Sequence, residues 1–174
     1  TVAGLTRLNS GNNATIALDS AGNNFTTVIV GSTGDAVTLV DVDNLDLATM
    51  NAANLKVSTG GLITDSGSLV ISGLTILDSG NDQAITLDQA GNDFATVSVT
   101  STGDSVVLTD VNAIELGALT AASLNVTAAG NISQSGVLQI SDNATFTTAA
   151  ADVLLNTHTN NFGNLSLTAV NAAV

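Results

Sequence analysis

Cysteine, proline, tryptophan and tyrosine are missing from this 174-residue chain, and it carries a single histidine and two cations. Without cysteine there is no disulfide framework and no thiolate-held metal. Arg7 and Lys56 stand alone against 15 carboxylates, for a net charge of −13. That balance argues against nucleic acid and anionic membrane surfaces as partners, since little in the chain can pair with phosphate. No apolar run approaches the ~18 residues of a spanning helix, so no membrane insertion is expected. Neither an initiator methionine nor a signal peptide is present, and the chain is expected to be a piece of something longer. Charged residues make up 10% and apolar residues 44%, enough apolar side chain for burial to outweigh chain entropy.

What the sequence does contain is itself, repeated. Residues 5–73 align without a gap on residues 74–142, and about half of the positions are identical. "IALDSAGNNFTTVIVGSTGDAVTLVDV" (16–42) faces "ITLDQAGNDFATVSVTSTGDSVVLTDV" (85–111). A partial third copy covers 143–174 and needs one deletion, so that "VLLNTHTNNFGNLSL" (153–167) follows "ITLDQAGNDFATVSV" (85–99). The whole chain, 1–174, is read as a single segment built from these copies.

Inside each copy the apolar signal has period two and is brief. Pairs such as Ile16/Leu18, Val37/Leu39, Leu55/Val57 and Leu69/Ile71 are separated by Gly, Asn, Asp and Ser. Such pairs make short strands between turns. The helix-like "LDLATMNAANL" (45–55) is short and flanked by strand pattern, so it too is read as extended. Strands this short bury too little in a flat meander but can be stacked coil upon coil.

The fold expected is therefore all-β, a right-handed parallel β-helix. Counting Met50, Ile63 and Ile76 as weaker inward positions gives nine strands per repeat, or three coils of about 23 residues each. Leu18, Val30, Leu39, Leu55, Val57, Ile71, Leu87, Val99, Leu108, Leu124, Val126 and Ile140 should point inward. The recurring "AGNNF" (21–25), "AGNDF" (90–94) and "TNNF" (159–162) are read as corners. Gly22, Asn23, Gly91 and Asn92 should turn the chain there through left-handed conformations, with Asn amides bonding from coil to coil. Phe25, Phe94 and Phe162 should tuck inward at equivalent corners, about 14 Å apart along the axis.

The stretch "LNVTAAGNISQSGVLQISDNATFTTAAADVLLNTHTNNFGNLSLTA" (124–169) resembles the repeats of large bacterial exoproteins related to filamentous haemagglutinin. The likeness lies in a strand followed by "AGNISQSG", a "TFT" stretch and an "NNF" corner, and it extends over essentially the whole chain. It implies a β-helical shaft carried on the surface of, or secreted by, a Gram-negative-type bacterium through a two-partner or autotransporter route. The secretion domain of that family is not recognisable in this sequence.

Chemistry-bearing residues are few. His158 has Ala90 as its counterpart in the preceding copy, which fits an exposed turn residue, and a lone imidazole without cysteine builds no metal site. Asp41, Asp43 and Asp46 in "DVDNLD" are the weak candidates for a Ca²⁺ site, because hard cations want several carboxylates. Their counterparts read "DVNAIE", so the ligand set is not repeated and a solvated acidic edge is expected. Carboxylates scattered along turns do not make the facing pair that glycoside hydrolysis needs. Threonine pairs do not recur coil after coil, against an ice-binding face, and the Asn-x-Ser/Thr triplets starting at Asn13, Asn24, Asn125, Asn131, Asn143 and Asn164 are about as many as chance gives.

No cofactor and no catalysis are expected. The reading is a structural shaft segment of a secreted or cell-surface adhesin or filament. Its partners would be further repeats of the same chain or other copies stacked end to end, with a host or neighbouring-cell surface or glycans as what the fibre meets. Two alternatives stand beside it: a filament subunit that stacks head to tail, and a carbohydrate-active β-helix whose site lies outside this segment.

Overall fold

The computed structural model describes residues 1–11, 14–31, 35–80, 82–100 and 104–174. Positions 32–34 and 101–103, which the sequence pattern reads as turns, and the triplet at Asn13 lie outside them.

Alternation of apolar and polar letters becomes 18 strands in one sheet, with no helix among the described residues. The strands are β1 (Val2–Leu8), β2 (Ile16–Leu18), β3 (Phe25–Val30), β4 (Ala36–Asp41), β5 (Leu45–Ala52) and β6 (Asn54–Thr59). Then come β7 (Ile63–Asp65), β8 (Leu69–Asp78), β9 (Ile85–Leu87), β10 (Asp93–Val99), β11 (Ser105–Asp110) and β12 (Ile114–Ala121). The rest are β13 (Ser123–Ala128), β14 (Ile132–Gln134), β15 (Leu138–Thr148), β16 (Val153–Leu154), β17 (Asn161–Thr168) and β18 (Ala172–Ala173).

Every strand pairs in parallel with the strand two places on. The odd strands form one ladder and the even strands another. A parallel pair needs a crossover. Here each crossover is itself a strand of the opposite ladder, so the chain winds as a solenoid with two main sides. The longer strands β5, β8, β12 and β15 bend round a corner and add the pairings β5–β8 and β12–β15.

One outward column fixes the pitch. Leu5, Thr27, Asp46, Thr64, Thr86, Val107, Asn125, Thr145 and Ser166 are successive register partners. Coils are thus about 20 residues long, a little shorter than the strand count from sequence gives. Eight spacings of ~4.8 Å make a rod of about 38 Å.

The repeat spans an odd number of strands. Strand β2 corresponds to β9, β4 to β11 and β6 to β13, and each time the counterpart sits in the other ladder. A repeat therefore advances the solenoid three and a half coils and sets its copy on the opposite side. Phe25, Phe94 and Phe162, expected on one line, fall on β3, β10 and β17 and so alternate between sides.

The interior is a continuous column of Val, Leu, Ile and Ala with Met50, Phe94 and Phe146. Eleven of the twelve inward positions expected from sequence are buried, and Leu18 is partly buried against the same core. Ile76 departs from expectation. It lies between Lys56 and Ser98 on an outward column of the even ladder, while Thr75 and Leu77 on either side of it are buried. Inward parity there runs through a threonine, which apolar counting passes over.

Candidate functional site

The repeated corners hold the molecule's organised polar chemistry. Leu39 of β4 and Leu108 of β11 point inward, so Asp41 and Asp110, two residues on, must point inward too. Each is almost fully buried and spends both oxygens on backbone amides. Asp41 accepts from Phe25 N at 2.7 Å and Asp43 N at 3.1 Å. Asp110 accepts from Phe94 N at 2.7 Å and Asn112 N at 2.8 Å. Each carboxylate thereby ties the coil before it to its own turn.

Beside these lie amide–carboxylate pairs that also cross between coils. Asn24 donates from Nδ2 to Asp43 Oδ2 at 2.8 Å. In the next copy the letters are exchanged, and Asn112 donates to Asp93 Oδ1 at 3.0 Å. The change from Asp43 to Asn112 is matched by the change from Asn24 to Asp93, so the bond survives the substitution. Asp46 accepts from Ser66 Oγ at 2.7 Å. Asp41, Asp43 and Asp46 each serve a different partner. No group of three or more His, Cys, Asp or Glu able to hold a metal comes together among the described residues.

The third letter of the corner motif staples coils together. Asn92 is fully buried; its Oδ1 accepts from Leu69 N at 2.9 Å and its Nδ2 donates to Asp65 Oδ2 at 2.6 Å. Asp65 also accepts from the amides of Asp88 and Gln89. In the last copy Asn160 takes the same place, bonding Leu138 N at 3.0 Å, Gln134 Oε1 at 2.7 Å and Leu155 O at 2.9 Å. Asn23, in the first copy, donates to Leu18 O at 3.0 Å. Asn160 and Gln134 escaped notice in the sequence, although "NNF" carries the signal.

Gly22 and Gly91 share a letter but not a constraint. A Cβ on Gly22 would meet open space, whereas one on Gly91 would collide with Ser68 Oγ. Neither glycine, nor Asn23 or Asn92, adopts the left-handed conformation expected. Among the described residues positive φ is confined to Gly11 and Asp82. The corners are turns closed by backbone bonds, Asn23 N to Ser20 O and Asn92 N to Gln89 O, each at 3.1 Å, with the asparagine side-chain bonds beside them.

Burial raises Asp41, Asp65 and Asp110 above the ordinary carboxylate range. The amide bonds pull each back in part, and the like charges of Asp43, Asp88 and Asp93 add to the rise. His158 is exposed and its Nδ1 lies 3.0 Å from Thr157 Oγ1. Phe94 is fully buried, while Phe25 and Phe162 are partly buried against the core. Phe162 meets Phe146 edge to face, centroids 6.1 Å apart at 73°. Phe146 lies in the "TFT" stretch and was not among the candidates read from sequence.

A family model described as repeats of unknown function (DUF5649) matches residues 1–32, 34–101 and 103–169. Its second and third segments begin at 34 and 103, one repeat apart. No curated protein and no solved structure matches the chain.

Proposed function

The chain belongs to the family of repeats of unknown function (DUF5649), and from its solenoid fold we propose that it is a shaft segment of a secreted or cell-surface bacterial fibre of the adhesin type, without catalysis. One observation carries the reading: nine strands of one ladder follow each other without a break along the axis. The polar groups at the corners are spent in tying coil to coil. A rod needs length, stiffness and resistance to unfolding, and parallel pairing round a continuous core supplies these without any reactive group. The charge of −13 keeps such rods apart in solution. The resemblance to filamentous-haemagglutinin repeats supports the extracellular setting. Further repeats of the same kind, stacked on the axis, are its partners.

Electron microscopy of the native material tests the proposal. Unbranched rods a few nanometres wide are expected, lengthening by about 17 Å for each repeat in the reading frame. Compact particles, or hydrolysis of a polysaccharide by the purified protein, would overturn it.

A further inference from the structure

Polar groups at the corners are spent on neighbouring coils, but those on one broad face are not. Thr109, Thr127, Thr147 and Thr168 are successive register partners on β11, β13, β15 and β17. Two residues back along each strand run Val107, Asn125, Thr145 and Ser166, paired in the same way. No bulge interrupts the pairing at these positions, so together they make a regular grid. Its spacings are about 4.8 Å across coils and about 6.6 Å, twice the rise of one residue, along the strand. Seven of the eight positions carry a hydroxyl or an amide and none is charged, in a chain of net charge −13. Asp110, beside Thr109, is turned into the core, and Asp104 and Asp142 precede the rows of the grid. The seven polar side chains are half-buried or exposed, and among the described residues none of them has a hydrogen-bond partner.

The fold does not call for this composition. One repeat earlier, on β4, β6 and β8 of the opposite ladder, the places of Thr109, Asn125, Thr145 and Thr147 hold Val40, Lys56, Ile76 and Asp78 in the same register. The same scaffold thus accepts a cation, an anion and two aliphatic side chains where this face has neutral hydrogen-bonding groups. We infer that the face docks on a neutral, ordered lattice of water, the surface of ice. Threonine is stiff at χ1, and on paired strands it holds a hydroxyl and a methyl at fixed intervals. Both intervals are close to those between oxygen rows in hexagonal ice. An uncharged grid suits a neutral lattice and gives a nucleic acid, an anionic lipid or a basic protein nothing to pair with. A polysaccharide fits less well, because sugar rings stack on exposed aromatics and all four phenylalanines are packed in or against the core. Counting Thr-x-Thr pairs along each strand passes over this ladder. Its members lie 18, 20 and 21 residues apart and align only through the winding.

Partition of the whole chain into a slowly growing hemisphere of ice tests this. The protein is expected to be enriched in the ice over the residual liquid and to suppress ice recrystallisation. Asn125→Lys together with Thr147→Asp installs the side chains that the counterpart positions Lys56 and Asp78 already carry. The double variant should keep the parent's melting temperature and lose both effects, and Asn125→Lys alone, the milder change, should weaken both. Ser58→Lys, on the opposite ladder, should leave both as they are. Exclusion of the parent from ice, or equal enrichment of the parent and the double variant, overturns the inference. So does retention on insoluble cellulose, or a dimer in the ultracentrifuge, that replaces ice binding and that the double variant abolishes, since the face would then belong to a glycan or to a second copy. The shaft reading is decided separately, by rods or particles under the microscope.

Discussion

Replacing Asn92 by alanine removes a fully buried side chain that holds two coils. Its Oδ1 satisfies Leu69 N at 2.9 Å and its Nδ2 satisfies Asp65 Oδ2 at 2.6 Å. The Leu69 amide would be left buried without an acceptor, at about 1–3 kcal/mol. The Asp65 carboxylate would lose its shortest donor, at about 1.5–3 kcal/mol for a bond to a charged group. The sum is about 2.5–6 kcal/mol, or roughly 5–24 °C in melting temperature for a chain of this size. Asn23→Ala supplies the control, because the same letter of the same motif there makes one side-chain bond, to Leu18 O. That change should cost about 0.5–1.5 kcal/mol. Thermal and urea unfolding followed by circular dichroism measure both. Equal losses for Asn23→Ala and Asn92→Ala would refute the staple and leave the motif as a turn signal only.

Thr75 is fully buried with Oγ1 unpartnered, and Ala144 holds its place in the next copy. Thr75→Val should therefore raise stability by about 1 kcal/mol, and a fall in the urea midpoint would contradict this. Leu108→Asp puts an unpaired carboxylate between Leu87 and Val126 and should cost several kcal/mol; a melting temperature indistinguishable from the parent's would contradict the inward assignment. Since burial raises Asp41, Asp65 and Asp110, the folded chain binds their protons more tightly than the unfolded chain does. Stability should then rise as pH falls from neutral through their folded-state values, the gain being complete below the unfolded value and lost again as pH climbs. In high salt, which screens the surface carboxylates, the melting temperature should be higher at about pH 4.5 than at pH 7. The triple change to Asn at these positions should shrink that difference, and a decrease on acidification would contradict the burial argument.

The repeat, the short strands and most of the core were legible because period-two alternation between turn residues has few other solutions. Met50 and Ile63 were found that way and are fully buried. Ile76 was misplaced because Thr75 occupies the inward position beside it, and a buried threonine is invisible to an apolar count. The coil length was less legible, since a strand that bends, such as β8 over Leu69–Asp78, reads as two short apolar pairs. Dividing the repeat into three coils rather than three and a half hid the alternation of sides. The corner network was half legible. The Asn and Asp letters stood out, but the exchange of Asn24 and Asp43 for Asp93 and Asn112 becomes meaningful only once neighbouring coils are seen to touch there.

Distances between paired spin labels test the winding most directly, and the absence of native cysteine makes labelling clean. Thr64 and Asn125 lie on one outward column, three spacings apart through Thr86 and Val107. Labels on Thr64→Cys and Asn125→Cys should give a separation of about 14 Å, three strand spacings. Ser133 is one whole repeat from Thr64 but stands on the other ladder, paired with Glu115 of β12. The Thr64→Cys and Ser133→Cys pair should therefore be clearly longer, spanning the width of the solenoid as well as its rise. The reverse order, with Thr64 and Ser133 the closer pair and Thr64 and Asn125 the more distant, would mean three whole coils per repeat and would contradict the half-turn.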